Sequence, residues 1–221
     1  TLTVNTDATL TLNAKLTGPV PYVPGVTVLT NNGAILNRFN SQNFIMDVVN
    51  NGSITNGIST LDGALLNFGS GVTSSAVTNN GAITNYRTMF VYRSAVMENY
   101  GTVTDHNKFY VVGIFNNYSG GRMIYNKSTE MNGSFNNYSG GAVEMNGALI
   151  IEGTLNNEGA VNNNAGGVLT NNYGTVTNKA GGAITNNVGG IVDNLGELNN
   201  QIGGMITNYG TLKNSSTGNL T

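Results

Sequence analysis

Short apolar triplets, each set between a glycine and an asparagine, recur along nearly the whole chain. In NNYGTVTN (171–178) and GGAITN (181–186) glycine is followed by a small residue, an aliphatic one, a short polar one and then asparagine. Related phrases begin at Gly33 (GAILN), Gly52 (GSITN), Gly81 (GAITN), Gly101 (GTVTD), Gly153 (GTLNN), Gly174 (GTVTN), Gly182 (GAITN), Gly204 (GMITN) and Gly210 (GTLKN). Inside each phrase apolar and polar positions alternate, which predicts a short strand with one buried face. From Gly141 onward the anchors fall at 147, 153, 159, 167, 174, 182, 190, 196, 204 and 210, so each step holds a short strand and a corner. Earlier in the chain Gly81, Gly101, Gly121 and Gly141 are 20 residues apart, with two further apolar pieces between anchors, such as TMFVY and AVMEN. Twenty residues therefore make three short faces and three corners.

A self-similar period of this length is the signature of a stacked-repeat architecture. A segment of three or four residues is not a stable strand alone. Stacked on its copy one coil away, it forms a parallel ladder at about 4.8 Å spacing. The expectation is an all-β, parallel β-solenoid (β-helix) of triangular section, with about 20 residues per coil and roughly eleven coils, a stack of about 50 Å. Its handedness is left open. Asparagine tolerates corner conformations, and in-register asparagines can bond one another along the stack. Asn-Gly pairs also serve hairpin turns, but a period of 6–8 residues leaves antiparallel strands too short.

The ends break the pattern. Residues 1–17 alternate like strand and read as a first coil or as an assembly arm carrying Leu2, Val4, Leu10 and Leu12. GPVPYVPG (18–25) holds all three prolines and reads as a loop, because proline cannot serve a central ladder. Residues 26–214 are the repeats and 215–221 a short polar tail.

Composition narrows the function. Charged residues make up 9% of the chain, far below the ~25% usual in soluble domains. The net charge of −2 gives no basic groove for nucleic acid. Hydrophobic residues at 39%, regularly placed, argue against disorder. There is no cysteine, so rigidity must come without disulfides. No apolar run approaches a membrane-spanning length. The chain begins at Thr1 rather than Met, which reads as a mature or trimmed product.

The phrases NNGSITN, NNGAITN, NNYGTVTN and NNVGGIVDN resemble the Asn/Gly-rich repeats of bacterial surface and secreted β-solenoids: adhesin and autotransporter stalks and phage fibres. The resemblance spans about Thr30 to Asn214 and is one of repeat style. It implies an extracellular, elongated, binding or structural role and carries no catalytic residue across.

Candidate chemistry is sparse. His106, the lone histidine, stands in TDHN and reads as a solvated corner residue. A Ser/His/Asp site needs an oriented serine, and no G-x-S-x-G elbow occurs. A glycosidase needs two carboxylates about 5–9.5 Å apart. Glu130 and Glu152, 22 residues apart, could share a face one coil apart, whereas Glu144 and Glu158 align less well. No calcium-binding nonapeptide occurs. Tyr100, Tyr118 and Tyr138 each follow an asparagine and precede an anchor, which predicts a stack along one corner, with Phe90, Phe109 and Tyr110 on the neighbouring face. Such a strip could bind a sugar ring or another subunit, or simply tie coils together. Thr102/Thr104 and Thr175/Thr177 do not extend into a regular array of the kind an ice-binding face needs, since like places hold Arg122/Ile124 or Ala183/Thr185. Sequons at Asn51, Asn117 and Asn137 arise from the repeat itself.

The leading expectation is a non-enzymatic structural subunit of an extracellular filament or fibre. It would join head-to-tail with copies of itself, through its solenoid ends or by strand addition, with no cofactor, no metal and no nucleic acid. Next comes an adhesin or phage-fibre segment that binds surface glycans, and third a polysaccharide-degrading solenoid.

Overall fold

The computed structural model describes residues 2–12, 28–38, 42–44, 46–57, 64–69, 75–215 and 217–221. The proline loop at 18–25 lies outside the described residues. Among the described residues thirty short strands, most of four residues, form three parallel sheets of eleven, ten and nine strands. Ile114–Asn117, Arg122–Tyr125 and Ser128–Met131 make one turn of the solenoid, one strand per sheet, and Ser134–Asn137, Ala142–Met145 and Ala148–Ile151 stack on them as the next. Nine turns, from Val28 to Asn214, contribute to all three sheets among the described residues. Two further levels, each described only in part, flank them, so the expected eleven coils become nine that are complete among the described residues.

The lower partial level is Leu2–Val4 and Thr9–Leu12, paired in parallel with Val28–Asn31 and Ala34–Asn37. Leu2–Val4 and Thr9–Leu12 therefore lie in the stack, as the first-coil alternative expects. Val4 and Leu12 are buried, Leu10 partly so, and Leu2 is exposed. At the other end Asn219–Leu220 pairs with Glu197–Asn200, so the predicted polar tail supplies an eleventh strand to the first sheet.

Within a strand the second and fourth residues are buried, as in Ser134–Asn137 and Thr175–Asn178. The second position builds the core. Phe115, Phe135, Leu155 and Val176 succeed one another on the first sheet; Val103, Met123 and Val143 on the second; Met89, Phe109, the buried Thr129 and Leu149 on the third. Each such side chain contributes about 1.5–3 kcal/mol when fully buried. The fourth position, usually asparagine, points into a corner.

Glycine has two separate uses. Gly120, Gly140, Gly166, Gly181, Gly189 and Gly203 take positive φ (80–86°), a region that side chains disfavour. The predicted anchors Gly121, Gly141, Gly182 and Gly204 follow them and are not themselves left-handed. Gly33, Gly52, Gly81 and Gly101 are needed instead because a Cβ there would collide with a backbone carbonyl of the coil beneath. Gly174 also sits close under neighbouring carbonyls.

Candidate functional site: side-chain ladders and end faces

Three rows of buried corner residues run along the stack. At the first corner Asn31, Asn50, Asn79, Asn99, Asn117, Asn137, Asn157, Asn178 and Asn200 form one file. Each Nδ2 donates to the Oδ1 of the next at 2.7–2.8 Å. The same Nδ2 also reaches a carbonyl one coil on, as from Asn137 to Ala160 at 3.1 Å. That carbonyl fixes which end of the amide points forward, so the file has a direction. Burying a polar group is costly unless it is bonded, and here each amide bonds the next.

The first member of a file should then lack a donor for its Oδ1. Asn31 stands on Val4, and its Oδ1 is buried without a partner. The third corner holds Val91, Val111, Met131 and Ile151 before changing to Asn171, Asn194 and Asn214. Asn171, on Ile151, again has an unpartnered Oδ1. The second corner runs Asn37, Asn56, Asn85, Asp105, is interrupted by Tyr125 and Met145, and restarts at Asn163, whose Oδ1 is likewise unpartnered.

The outer surface carries the predicted tyrosine stack. Tyr100, Tyr118 and Tyr138 lie with centroids 4.8 Å apart and interplanar angles of 9° and 5°. Burial and the neighbouring Glu98 and phenols push the Tyr118 hydroxyl above its ordinary pKa. Phe90 stacks on Tyr110 at 4.6 Å on the third sheet. Phe109 does not join them. It faces the core and meets Phe115 edge-on at 5.8 Å, because adjacent strand residues point to opposite faces. Of the three tyrosines, Tyr118 has a ring against each face, whereas Tyr100 and Tyr138 each have one against a single face.

His106 stacks on Tyr86 at 4.8 Å and 6°, and its Nδ1 lies 3.3 Å from Asn126 Nδ2. It heads an outer amide row, Asn126, Asn146, Asn164 and Asn187, in which each Nδ2 donates back to the coil beneath. Its neighbours are thus structural partners, and the sequence did not disclose that row.

The carboxylates do not form the expected pair. Glu130 is in register with Ile150, while Glu152 lies at the following corner, accepting from Asn132 (2.6 Å) and Asn172 (3.0 Å). Glu144 is held by Arg122 at 2.7 Å and Glu158 by Lys179 at 2.9 Å. Among the described residues no cluster of three His, Cys, Asp or Glu could hold a metal ion, and no helix is long and apolar enough to cross a membrane. Thr102 and Thr104 are followed by Arg122 and Ile124 as expected, but Thr175 and Thr177 are followed by Glu197 and Asn199 rather than Ala183 and Thr185. Asn117 and Asn137 are buried in their file, out of reach of a modifying enzyme in the folded chain.

The end faces stand apart from the rest of the surface. In the last turn the Nδ2 groups of Asn200, Asn208 and Asn214 donate to carbonyls of their own turn, Gly204, Gly210 and Gly218. Ile202, Met205, Tyr209, Leu212 and Leu220 are exposed there. At the opposite end Leu2, Val4, Ala8 and Leu10 line an apolar recess of about 240 Å³.

No family model and no curated protein matches the chain. Among solved structures, the crystal structure of a TibC-catalysed, hyper-glycosylated TibA fragment is similar at 17% identity and a TM-score of 0.29, over 99% of this chain and 92% of that one.

Proposed function

We propose that this chain is a non-catalytic structural subunit of an extracellular filament or fibre, joined head-to-tail to copies of itself through its end turns. The observation that carries this reading is the amide file of the first corner, in which each Nδ2 donates to the Oδ1 one coil on at 2.7–2.8 Å, so that every coil is built to be continued by another of the same kind. Exposed ladder edges invite further strands, and a head-to-tail contact that does not close gives a filament. Stacked coils and charge-poor faces suit a load-bearing rod outside the cell.

The glycan-binding reading has less support. Sugar recognition by stacking needs free ring faces, whereas Tyr118 uses both of its faces, and Tyr100 and Tyr138 one each, on one another. The polysaccharide-degrading reading lacks its aligned carboxylate pair.

The test is sedimentation velocity with electron microscopy over a rising concentration series. Rods that lengthen in steps of about 50 Å are expected. Short rods of constant length at every concentration would overturn the self-assembly reading, and a glycan screen would then decide for the adhesin alternative.

A further inference from the structure

We propose that the Asp105 corner is a proton-operated seam across the rod, at which the coils above and below hold together more tightly when the carboxyl group is protonated. The argument begins with geometry. Asp105 occupies a place in the second corner file that asparagine fills at 37, 56 and 85. Its Oδ1 accepts from Asn85 Nδ2 at 2.6 Å, as the next Asn in the file would. Its Oδ2 therefore stands where an Asn carries the donating Nδ2.

At the rung below, Asn85 Nδ2 also donates to the carbonyls of Arg87 (2.8 Å) and Lys108 (3.0 Å). The equivalent carbonyls around residue 105 belong to Asn107 and Ser128 by register. An ionised carboxylate offers them a second acceptor and no proton. Its remaining donors are distant: Thr129 Oγ1 at 3.4 Å and the Asn107 amide at 3.4 Å.

The next coil gives no compensation. The residue in register is Tyr125, whose hydroxyl is fully buried without a hydrogen-bond partner, and above it comes Met145. Of the groups packed against Asp105 among the described residues, Asn85 below and Thr129 on the third sheet are neutral, and Tyr125 above is titratable. Its phenol is held protonated by burial and by the Asp105 charge. Arg87 and His106, half-buried at the same corner, and the exposed Lys108 do not offset the desolvation of the carboxyl group. Protonation would turn Oδ2 into a donor toward the carbonyls of Asn107 and Ser128, the kind of link that Asn85 makes one rung below.

The acid–base balance agrees. Desolvation outweighs the short hydrogen bond from Asn85 and the two long ones from Asn107 and Thr129, and lifts the Asp105 carboxyl from 3.8 to about 6. The folded chain therefore binds a proton over a range in which the unfolded chain has released it. Stability from this group is fully present below about pH 4 and is lost as pH rises through about 6.

The test compares the wild-type chain with Asp105→Asn, which carries the donor permanently. Urea unfolding and residue-resolved hydrogen exchange, corrected for intrinsic rates, are followed from pH 4 to pH 8. Relative to Asp105→Asn, the folded-to-unfolded ratio of the wild type should fall about a hundredfold over this range. Protection at Thr102–Asp105 and Arg122–Tyr125 should fall with it. Thr129→Val removes one of the remaining donors, so the midpoint of the pH effect should move above that of the wild type. Parallel pH curves for wild type and Asp105→Asn would overturn the proposal, as would a Thr129→Val midpoint equal to that of the wild type.

Discussion

Asn137→Ala tests the directional amide file at its middle. Asn137 accepts from Asn117 at 2.8 Å and donates to Asn157 Oδ1 at 2.8 Å and to the carbonyls of Ala160 and Gly141 at 3.1 and 3.3 Å. Alanine removes both inter-asparagine bonds. Asn117 Nδ2 keeps the carbonyls of Gly121 and Ala142, but Asn157 Oδ1 is left buried without its ladder donor. Two lost bonds at about 1 kcal/mol each, with an orphaned acceptor at about 1–2 kcal/mol, give a loss of about 3–4 kcal/mol. The comparison is Asn171→Ile. Asn171 is the first of its file, stands on Ile151 and already has an orphaned Oδ1. Isoleucine removes that orphan and creates one at Asn194, while losing the bonds to Asn194 (2.7 Å) and Glu197 O (2.9 Å). The orphan is moved rather than added, and the new aliphatic side chain extends the apolar column. Two lost bonds at about 1 kcal/mol each, offset by about 1 kcal/mol from the buried apolar side chain, leave a loss of about 1 kcal/mol. Urea unfolding monitored by circular dichroism reads both midpoints, and hydrogen exchange shows whether the effect stays near the altered rung, as expected for nearest-neighbour coupling. Equal losses for the two variants would refute the directional file.

Three further outcomes follow from the same geometry. Gly101→Ala places a Cβ against the Gly81 carbonyl and should open the local coil spacing, with a loss above about 2 kcal/mol and reduced exchange protection at residues 82–85 and 102–105. Tyr118→Ala deletes two stacking contacts and should cost about 1–3 kcal/mol in urea unfolding; a glycan titration should see no change if the rings serve only each other. Arg122→Ala breaks a half-exposed ion pair with Glu144 and should cost under about 1 kcal/mol, a difference that shrinks in high salt.

Much of the architecture was legible because it is periodic. The spacing of Gly81, Gly101, Gly121 and Gly141 equals the length of one turn, and the Tyr100, Tyr118 and Tyr138 stack follows from it. The turn count was overestimated because the early coils are not all 20 residues long: Asn56 and Asn85, adjacent rungs, are 29 apart. Phe109 was misassigned because KFYV offers two adjacent aromatics, and only the phase of the strand says which points inward. Glu130 and Glu152 looked aligned at a separation of 22, but the local turn is 20, so the second lands past the strand end. Asp105 was visible as the odd letter in GTVTD, yet its meaning depends on burial and on Tyr125 above it, both set by the stack. The end faces were anticipated in kind, whereas the unfilled amides of Asn200, Asn208 and Asn214 needed the direction of the files.

Helical reconstruction by electron cryo-microscopy of material assembled at high protein concentration tests the central claim most directly. A ladder that runs through each subunit junction at the same spacing of about 4.8 Å, with Asn200, Asn208 and Asn214 facing the first turn of the next copy, is the predicted result. Side-by-side packing of rods, or junctions with no shared ladder, would contradict it.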